Sequence, residues 1–224
     1  MVLKNKKITV ILLSVMVLIL AGVSVYYWYN STHYVTTEDA RVNGDIVQIS
    51  PQITGRLVEV NVEEGDSVLA GQVMARLDDD MLPPGSNIDL TLVRAPRSGV
   101  VIQRRGDVGE IVTPGMPLFL VVDPEELYIS ANVEEDLVAR VRPGQFVDIA
   151  IDNIPKVKFS GRVNHIGKAA VSTFSLLPAT NTGGNFTKVV QRVPVKIAVE
   201  DFRGYYPAYN SNALVRIHIS TGGF

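Results

Sequence analysis

The hydropathy pattern begins with one uninterrupted apolar segment close to the N-terminus. Residues 8–29 contain no charged side chain and end in a run of aromatic rings. A helix of this length, at about 1.5 Å of rise per residue, crosses the ~30 Å hydrocarbon core of a bilayer. The apolar part of a cleaved signal peptide is shorter, roughly 7–15 residues, and is followed by small residues. The sequence therefore predicts a retained transmembrane helix over 8–29.

The charges beside this segment predict its orientation. Lys4, Lys6 and Lys7 precede the helix, and no acidic residue occurs before Glu38. Positively charged flanks tend to remain on the cytoplasmic side of a membrane. We therefore expect a single-pass protein of the cytoplasmic (inner) membrane, with residues 1–7 inside and residues 30–224 in the periplasm or another extracytoplasmic space.

Beyond the helix, apolar and polar residues alternate with a period of two. This period is typical of strands that have one face on a core, and glycine and proline lie between the runs, where turns need them. The apolar members of the runs are Val58, Val60 and Val62; Val73, Ala75 and Leu77; Val147, Ile149 and Ile151; Val193, Val195, Ile197 and Val199; and Val215, Ile217 and Ile219. The pattern predicts a mainly β protein.

One short helix is predicted among these strands, over 133–142. Asn132 is a suitable N-cap, and Glu135 follows at the spacing of a capping box. Arg140 and Arg142 suit the negative C-terminal end of such a helix, and the Pro143–Gly144 pair would end it.

Two stretches of the predicted strands repeat one another at an offset of 44 residues. The repeat is carried by Gly55, Gly65 and Gly71 in the first copy and by Gly99, Gly109 and Gly115 in the second. Gly65 and Gly109 have the neighbours of turn positions that need a positive φ. Gly55 and Gly99 open strands where backbones approach closely, and Gly71 and Gly115 precede the last strand of each copy. One copy is too small to bury an apolar face alone, so we expect the two to cover each other about a pseudo-twofold axis.

Composition excludes several classes of function. The chain is 46% hydrophobic and 20% charged, and its formal net charge of -2 offers no general basic surface for nucleic acid. Because there is no cysteine, disulfides, thiol catalysis and thiolate metal sites are excluded.

Catalytic constellations are also missing from the sequence. The three histidines, His33, His165 and His218, have no ligand-like spacing, and neither a G-x-S-x-G nor an H-E-x-x-H pattern occurs. The consecutive acidic residues 78–80 would point to alternate faces of a strand, which favours a solvated turn over a metal site. We expect no enzyme and no catalytic, cofactor-binding or metal-binding residue.

The repeated stretches resemble a known kind of module. "ISPQITGRLVEVNVEEGDSVLAGQVMARLD" and "VRAPRSGVVIQRRGDVGEIVTPGMPLFLVVD" resemble the two half-motifs of the biotinyl/lipoyl-like domain in bacterial membrane fusion proteins, the periplasmic adaptors of the HlyD family. "FSLLPATNTGGNFTKVVQRVPVKI", residues 174–197, is similar to the EmrA-like branch of that family. Lipoyl-like carriers attach a cofactor to a lysine amine, but no lysine occurs from Ile8 to Pro155. The carrier alternative is therefore excluded, and a structural module remains.

The resemblance implies a division into domains. Residues 49–78 plus 93–123 would form the lipoyl-like β-sandwich, 124–194 a β-barrel domain, and 34–48 plus 195–220 a membrane-proximal β domain. The linker at 79–92 stands where the family has a long α-helical hairpin. Even if wholly helical it would extend only ~21 Å, and Pro83, Pro84 and Gly85 interrupt it. Direct docking to an outer-membrane duct is therefore doubtful; the host could lack an outer membrane, another protein could reach the duct, or the linker could have been shortened by engineering.

The resemblance also implies a function. An EmrA-like adaptor would be a subunit of an export pump, linked to an inner-membrane transporter of the major-facilitator type for efflux of drugs or other amphipathic compounds, and copies would pack into a ring. Four apolar residues beside a polar loop would pack in the barrel core or contact a partner or substrate: Phe174, Leu176, Leu177 and Phe186. Two alternatives stay open: an adaptor of an ATP-driven polypeptide secretion system, and an anchored glycan-binding module, for which only the tyrosines at 205, 206 and 209 cluster.

Overall fold

The computed structural model describes residues 6–80, 82, 85, 87–169 and 190–219. The helices are α1 (Lys6–His33) and α2 (Glu135–Val138), with 3₁₀ turns at Ile88–Thr91 and Pro124–Glu126. The strands are β1 (Tyr34–Asn43), β2 (Ile46–Ile49), β3 (Gly55–Val60), β4 (Ser67–Val68), β5 (Val73–Leu77), β6 (Leu92–Arg94), β7 (Gly99–Arg104), β8 (Ile111–Val112), β9 (Phe119–Val122), β10 (Tyr128–Glu134), β11 (Phe146–Ile151), β12 (Lys158–Ile166), β13 (Arg192–Val199) and β14 (Asn212–His218).

The predicted apolar helix is confirmed as α1, which is long and apolar enough to cross a membrane. Every side chain from Val10 to Tyr29 is exposed, as expected where the surroundings are lipid. The helix continues to His33, four residues past the predicted end, because polar side chains bond back to its last turn. Thr32 Oγ1 donates to the Trp28 carbonyl at 2.8 Å, and His33 Nδ1 lies 2.9 Å from the Tyr29 carbonyl.

Six strands form a closed barrel in the order β1-β10-β13-β12-β11-β14, with antiparallel neighbours throughout. The period-two runs explain this core, since their alternate residues point inward. Ile149, Val195, Ile197, Val215 and Ile217 are all at most 1% exposed. The predicted mainly β fold with a barrel is confirmed.

The expected division between barrel and membrane-proximal domain needs a correction. The segments before 49 and after 195 do pair, as β1 with β14, but β1 also pairs with β10, and β14 with β11. The same six strands therefore build one barrel, and β2, placed by sequence in the membrane-proximal part, pairs with β9 of the sandwich. The physical reason is that each strand has two edges, and closure of the sheet satisfies both.

The second body is a sandwich of two four-stranded sheets, ordered β2-β9-β7-β4 and β6-β5-β3-β8. The two sequence copies exchange strands in it. β3 of the first copy pairs with β8 of the second, placing Gly55 opposite Val112, and β7 of the second pairs with β4 of the first, placing Gly99 opposite Val68. These register pairs are related by the same offset of 44 residues that relates the copies.

The backbone hydrogen bonds repeat this symmetry. Leu57 N donates to the Glu110 carbonyl at 2.8 Å, and at the equivalent place Val101 N donates to the Asp66 carbonyl at 2.9 Å. The buried side chains also come in equivalent pairs, each at most 1% exposed: Leu57 with Val101, Val68 with Val112, Met74 with Leu118, Ala75 with Phe119, and Leu77 with Val121. In one of these equivalent pairs, Ala75 is small and Phe119 is large. The two copies therefore differ in side-chain volume, although they share one core.

Strict alternation was wrong in two strands of the sandwich. In β3 the fully buried side chain is Leu57 rather than Val58, and in β5 both Met74 and Ala75 are 0% exposed. A shift of register lies between Leu57 and Glu59 and another between Val73 and Ala75. A β-bulge of this kind rotates the strand locally and places consecutive side chains on one face.

The predicted helix over 133–142 was also wrong in extent. β10 continues to Glu134, paired with Arg192 of β13, and α2 covers only Glu135–Val138. Asn132 lies within the strand, and no side chain caps the helix. Burial of Val133 at 1% exposure in the barrel explains why strand pairing prevails over the capping signal.

The equivalent glycines Gly55 and Gly99 give a matched test of the sandwich. A Cβ at Gly99 would lie 2.6 Å from the Val122 carbonyl oxygen, whereas at Gly55 it would lie 3.0 Å from Leu77 Cδ2 and 3.2 Å from Leu77 Cβ. We expect Gly99→Ala to lower the free energy of unfolding by about 1–3 kcal/mol, because backbone cannot yield as a side chain can. Gly55→Ala should stay within about 1 kcal/mol of wild type. Thermal unfolding of the full chain in detergent, followed by circular dichroism, measures both; equal losses would contradict the assignment.

Candidate functional site

The membrane helix enters the barrel without a linker, since α1 ends at His33 and β1 begins at Tyr34. Arg140, in the loop after α2, donates to the Ser31 carbonyl from Nη1 at 3.0 Å and to the Thr32 carbonyl from Nη2. Ile219 N donates to the His33 carbonyl at 2.8 Å. Terminal carbonyls of a helix lack intrahelical donors and carry the negative end of its dipole. The guanidinium satisfies both needs and fastens the barrel to the helix.

A cavity of about 470 Å³ lies beside this junction, between the last turn of α1 and the barrel. Five rings line it, those of Tyr29, His33, Tyr34, Phe146 and His218. Tyr29 stacks on His33 with centroids 4.1 Å apart, and His218 meets Tyr34 edge-on at 5.0 Å. His218 Nε2 also lies 2.7 Å from Asp148 Oδ2, which orients the imidazole. The junction therefore offers both aromatic surface and hydrogen-bonding groups.

A second arginine joins the sandwich to the barrel. Arg97 donates from Nη1 to Glu126 Oε2 at 3.0 Å and from Nη2 to the Asp45 carbonyl at 2.7 Å. Glu126 and Asp45 lie on the two chain segments that connect the bodies. Within the described residues, Arg97 Nε is a buried nitrogen with no hydrogen-bond partner. This side chain, which belongs to the sandwich, therefore contacts both connections to the barrel at once.

A mainly apolar cleft of about 590 Å³ also lies on the seam between sandwich and barrel. Tyr206 and Tyr209 of the loop before β14 form part of its wall, and Tyr206 is 76% exposed. The nearby connection passes through Gly44, where a Cβ would lie 2.6 Å from Val122 Cγ2. Burial, with the neighbouring charge of Asp45 second, raises the pKa of the Tyr128 hydroxyl.

The six half-motif glycines occupy equivalent positions in the sandwich. The φ angles are +95° at both Gly65 and Gly109, and +83° and +86° at Gly71 and Gly115. Left-handed backbone at these turns favours glycine over any residue with a Cβ. Gly55 and Gly99, at the strand starts, are instead restricted by neighbouring atoms. The structural role of the six glycines stays a proposal, which the substitutions above test at Gly55 and Gly99.

The predicted contact residues Phe174, Leu176, Leu177 and Phe186 lie outside the described residues, and their role stays a prediction. The acidic run at 78–80 needs a correction of geometry, because carboxylate oxygens of all three residues lie within 4.8 Å of one another. They follow the end of β5, where a turn replaces strand alternation and Asp80 N donates to Asp78 Oδ1 at 3.2 Å. Two of the three are exposed, as a solvated turn requires.

Sequence analysis missed the two arginines that hold the bodies together. Arg140 was assigned to the end of its own helix, but it caps the membrane helix, 109 positions away in the chain from Ser31. Arg97 gave no signal, because a single arginine in a polar loop resembles any solvated cation. Only the folded chain brings each guanidinium to its carbonyl partners.

A closed barrel joined to a strand-exchanged sandwich, behind an apolar helix, defines the fold class of this chain. The model of the protein family described as "RND MFP, barrel-sandwich hybrid domain" matches residues 45–124 of this chain. The "Putative efflux system component YhbJ" of Bacillus subtilis is 35% identical over 171 residues, covering 76% of this chain and 74% of that protein. The "Multidrug export protein EmrA" of Haemophilus influenzae is 41% identical over 115 residues, covering 51% of this chain and 30% of that protein.

A solved structure agrees in fold. The "periplasmic adaptor protein EmrA" aligns with a TM-score of 0.61 and 15% identity over 84% of this chain and 99% of that one. The chain belongs to the membrane fusion protein family, in its HlyD/EmrA-like group. This is a family of non-enzymatic adaptors, in agreement with the expectation from sequence. The chain spans most of YhbJ but less than a third of the length of the H. influenzae EmrA.

The contact of Arg97 with both connections can be tested by substitution. We expect Arg97→Gln to lower the free energy of unfolding by about 1–2 kcal/mol, mainly through loss of the bond to the Asp45 carbonyl. The pair with Glu126, whose side chain is 58% exposed, should contribute little to that loss. Urea unfolding of the full chain in detergent gives the measurement.

The control is Arg105→Gln, since Arg105 is an exposed arginine of the sandwich whose side chain, among the described residues, bonds only to the Gln103 side chain. It should cost less than about 0.5 kcal/mol. If the two variants lose the same stability, Arg97 has no special part in joining the bodies.

Proposed function

We propose that the protein is the membrane-anchored adaptor subunit of an export pump. The observation that carries this proposal is the direct union of a membrane helix with a barrel–sandwich body of the EmrA-like kind. α1 would hold the chain in the cytoplasmic membrane, and the barrel and sandwich would form a collar next to the transporter. The chain has no nucleotide-binding loop, so the transport energy would come from the partner.

The partner we propose is an inner-membrane transporter of the major-facilitator type, driven by protons. The substrates would be drugs or other small amphipathic compounds, and copies of the chain would assemble into a ring around the exit path. The name of the H. influenzae relative, a multidrug export protein, supports drugs as the substrates. A duct in an outer membrane is not part of the proposal, because residues 79–91 contain a 3₁₀ turn at Ile88–Thr91 and are too few for a long hairpin.

Purification with the natural partner tests this function. The tagged full chain, expressed at native level and extracted in mild detergent, should bring down a multi-helix transporter without an ATPase subunit, in a complex larger than one copy of each. The same α1 helix fused to an unrelated soluble domain is the control and should recover less of it. Recovery of an ATP-driven exporter would support the polypeptide secretion alternative, and a monomer free of any transporter would contradict the pump role.

The orientation we propose places the sandwich outside the cytoplasm, as the lysines before α1 favour. Because the chain has no cysteine, Val108→Cys, at a side chain that is 63% exposed, gives a single labelling site. A membrane-impermeant maleimide should label it in intact spheroplasts, while Val2→Cys should react only after lysis. The reverse pattern would overturn the orientation.

A further inference from the structure

We propose that the loop Ala139–Phe146 and the cavity beside α1 form a binding site for phospholipid headgroups, with Arg142 as the ligand to the phosphate. This inference rests on α1 crossing a membrane and does not depend on the export role.

The position of the loop follows from the helix junction. The aromatic rings at Tyr26–Tyr29 suit the membrane–water interface. Thr32 lies four residues beyond Trp28, about 6 Å farther along the helix axis. Because Arg140 bonds to the carbonyls of Ser31 and Thr32, its loop lies at this same level. With no linker between α1 and β1, the barrel has little freedom to lift the loop away from the headgroups.

The charge of the loop suits a phosphate. From Ala139 to Val147 the sequence contains two arginines and no acidic residue, and the next carboxylate, Asp148, is paired with His218. Arg142 is exposed and uses Nη1 to bond the Ala139 carbonyl at 2.6 Å and the Val141 carbonyl at 2.9 Å. Those bonds fix the guanidinium, while Nε and Nη2 have no partner in the described part of the chain. Two free donors along one edge of the planar guanidinium match a phosphate group.

The cavity supplies room for the rest of a headgroup. Pro143 and Gly144 directly follow Arg142 and form one side of the 470 Å³ space, and Tyr29 and His33 of the last helical turn form another. Aromatic rings with polar edges are the side chains that suit the headgroup region. Arg142 thus directly precedes the lining residues of a cavity that has amphipathic rings in its wall. A cation in this position favours anionic phospholipids such as phosphatidylglycerol.

The depth of the loop can be measured on an otherwise native chain. Pro143→Cys carries a nitroxide on the loop, and Val108→Cys carries one at the far end of the sandwich, beyond the Arg104–Phe119 pair of β7 and β9. In vesicles of phosphatidylcholine and phosphatidylglycerol, the label at 143 should be several-fold less accessible to a water-soluble nickel chelate than the label at 108. Equal accessibility would overturn the proposal.

Recognition of phosphate can be tested separately by native mass spectrometry of phosphatidylglycerol bound to the full chain. Arg142→Gln should weaken binding about fivefold, as expected for one cation near a lipid surface, whereas Arg142→Lys should retain most of it. Arg105→Gln removes the same net charge from the sandwich and should bind like wild type. If Arg142→Gln and Arg105→Gln bind equally, Arg142 does not hold the lipid.

Discussion

The exchange of strands between the two half-motifs is the constraint on which the rest of the structure depends. Neither copy can complete a sheet alone, because one edge of β3 pairs with β8 and one edge of β7 pairs with β4, each from the other copy. The exchange also closes the linker, since β5 ends at Leu77, β6 begins at Leu92, and these two strands are neighbours in one sheet. The connections to the barrel then leave the sandwich side by side, through β2 and β9, and this arrangement sets where the barrel must stand.

From the sandwich to the membrane, each of the two joints contains an arginine that bonds to at least one backbone carbonyl. Arg97 ties the sandwich to its connections, and Arg140 ties the barrel to the end of α1. A guanidinium suits this task because its planar donors can satisfy two acceptors at once. Motion of the helix in the bilayer would therefore be transmitted to the barrel. The proposed lipid site on the same loop would add a second point of support at the membrane surface.

Several features were accessible to sequence for clear physical reasons. A long apolar segment has few alternatives to a membrane helix, and period-two runs such as that from Val193 predict half-buried strands because side chains alternate across a sheet. The glycine repeat predicted two copies in mutual contact, because turn geometry at Gly65 and Gly109 demands the same backbone. Local errors fell where pairing overrode local preference, as at Met74 beside a bulge and at Asn132 inside β10.

Sequence by itself thus determined the anchor, the β character, the repeated half-motifs and the lack of an attachment lysine, since each is a property of neighbouring residues or of residue type. Tertiary structure alone decided that β1 and β14 close the same barrel as β10–β13, and that Arg97 and Arg140 join separate bodies. Those outcomes depend on which strand edges pair and which carbonyls accept hydrogen bonds between residues far apart in the chain. No local sequence pattern encodes such long-range contacts.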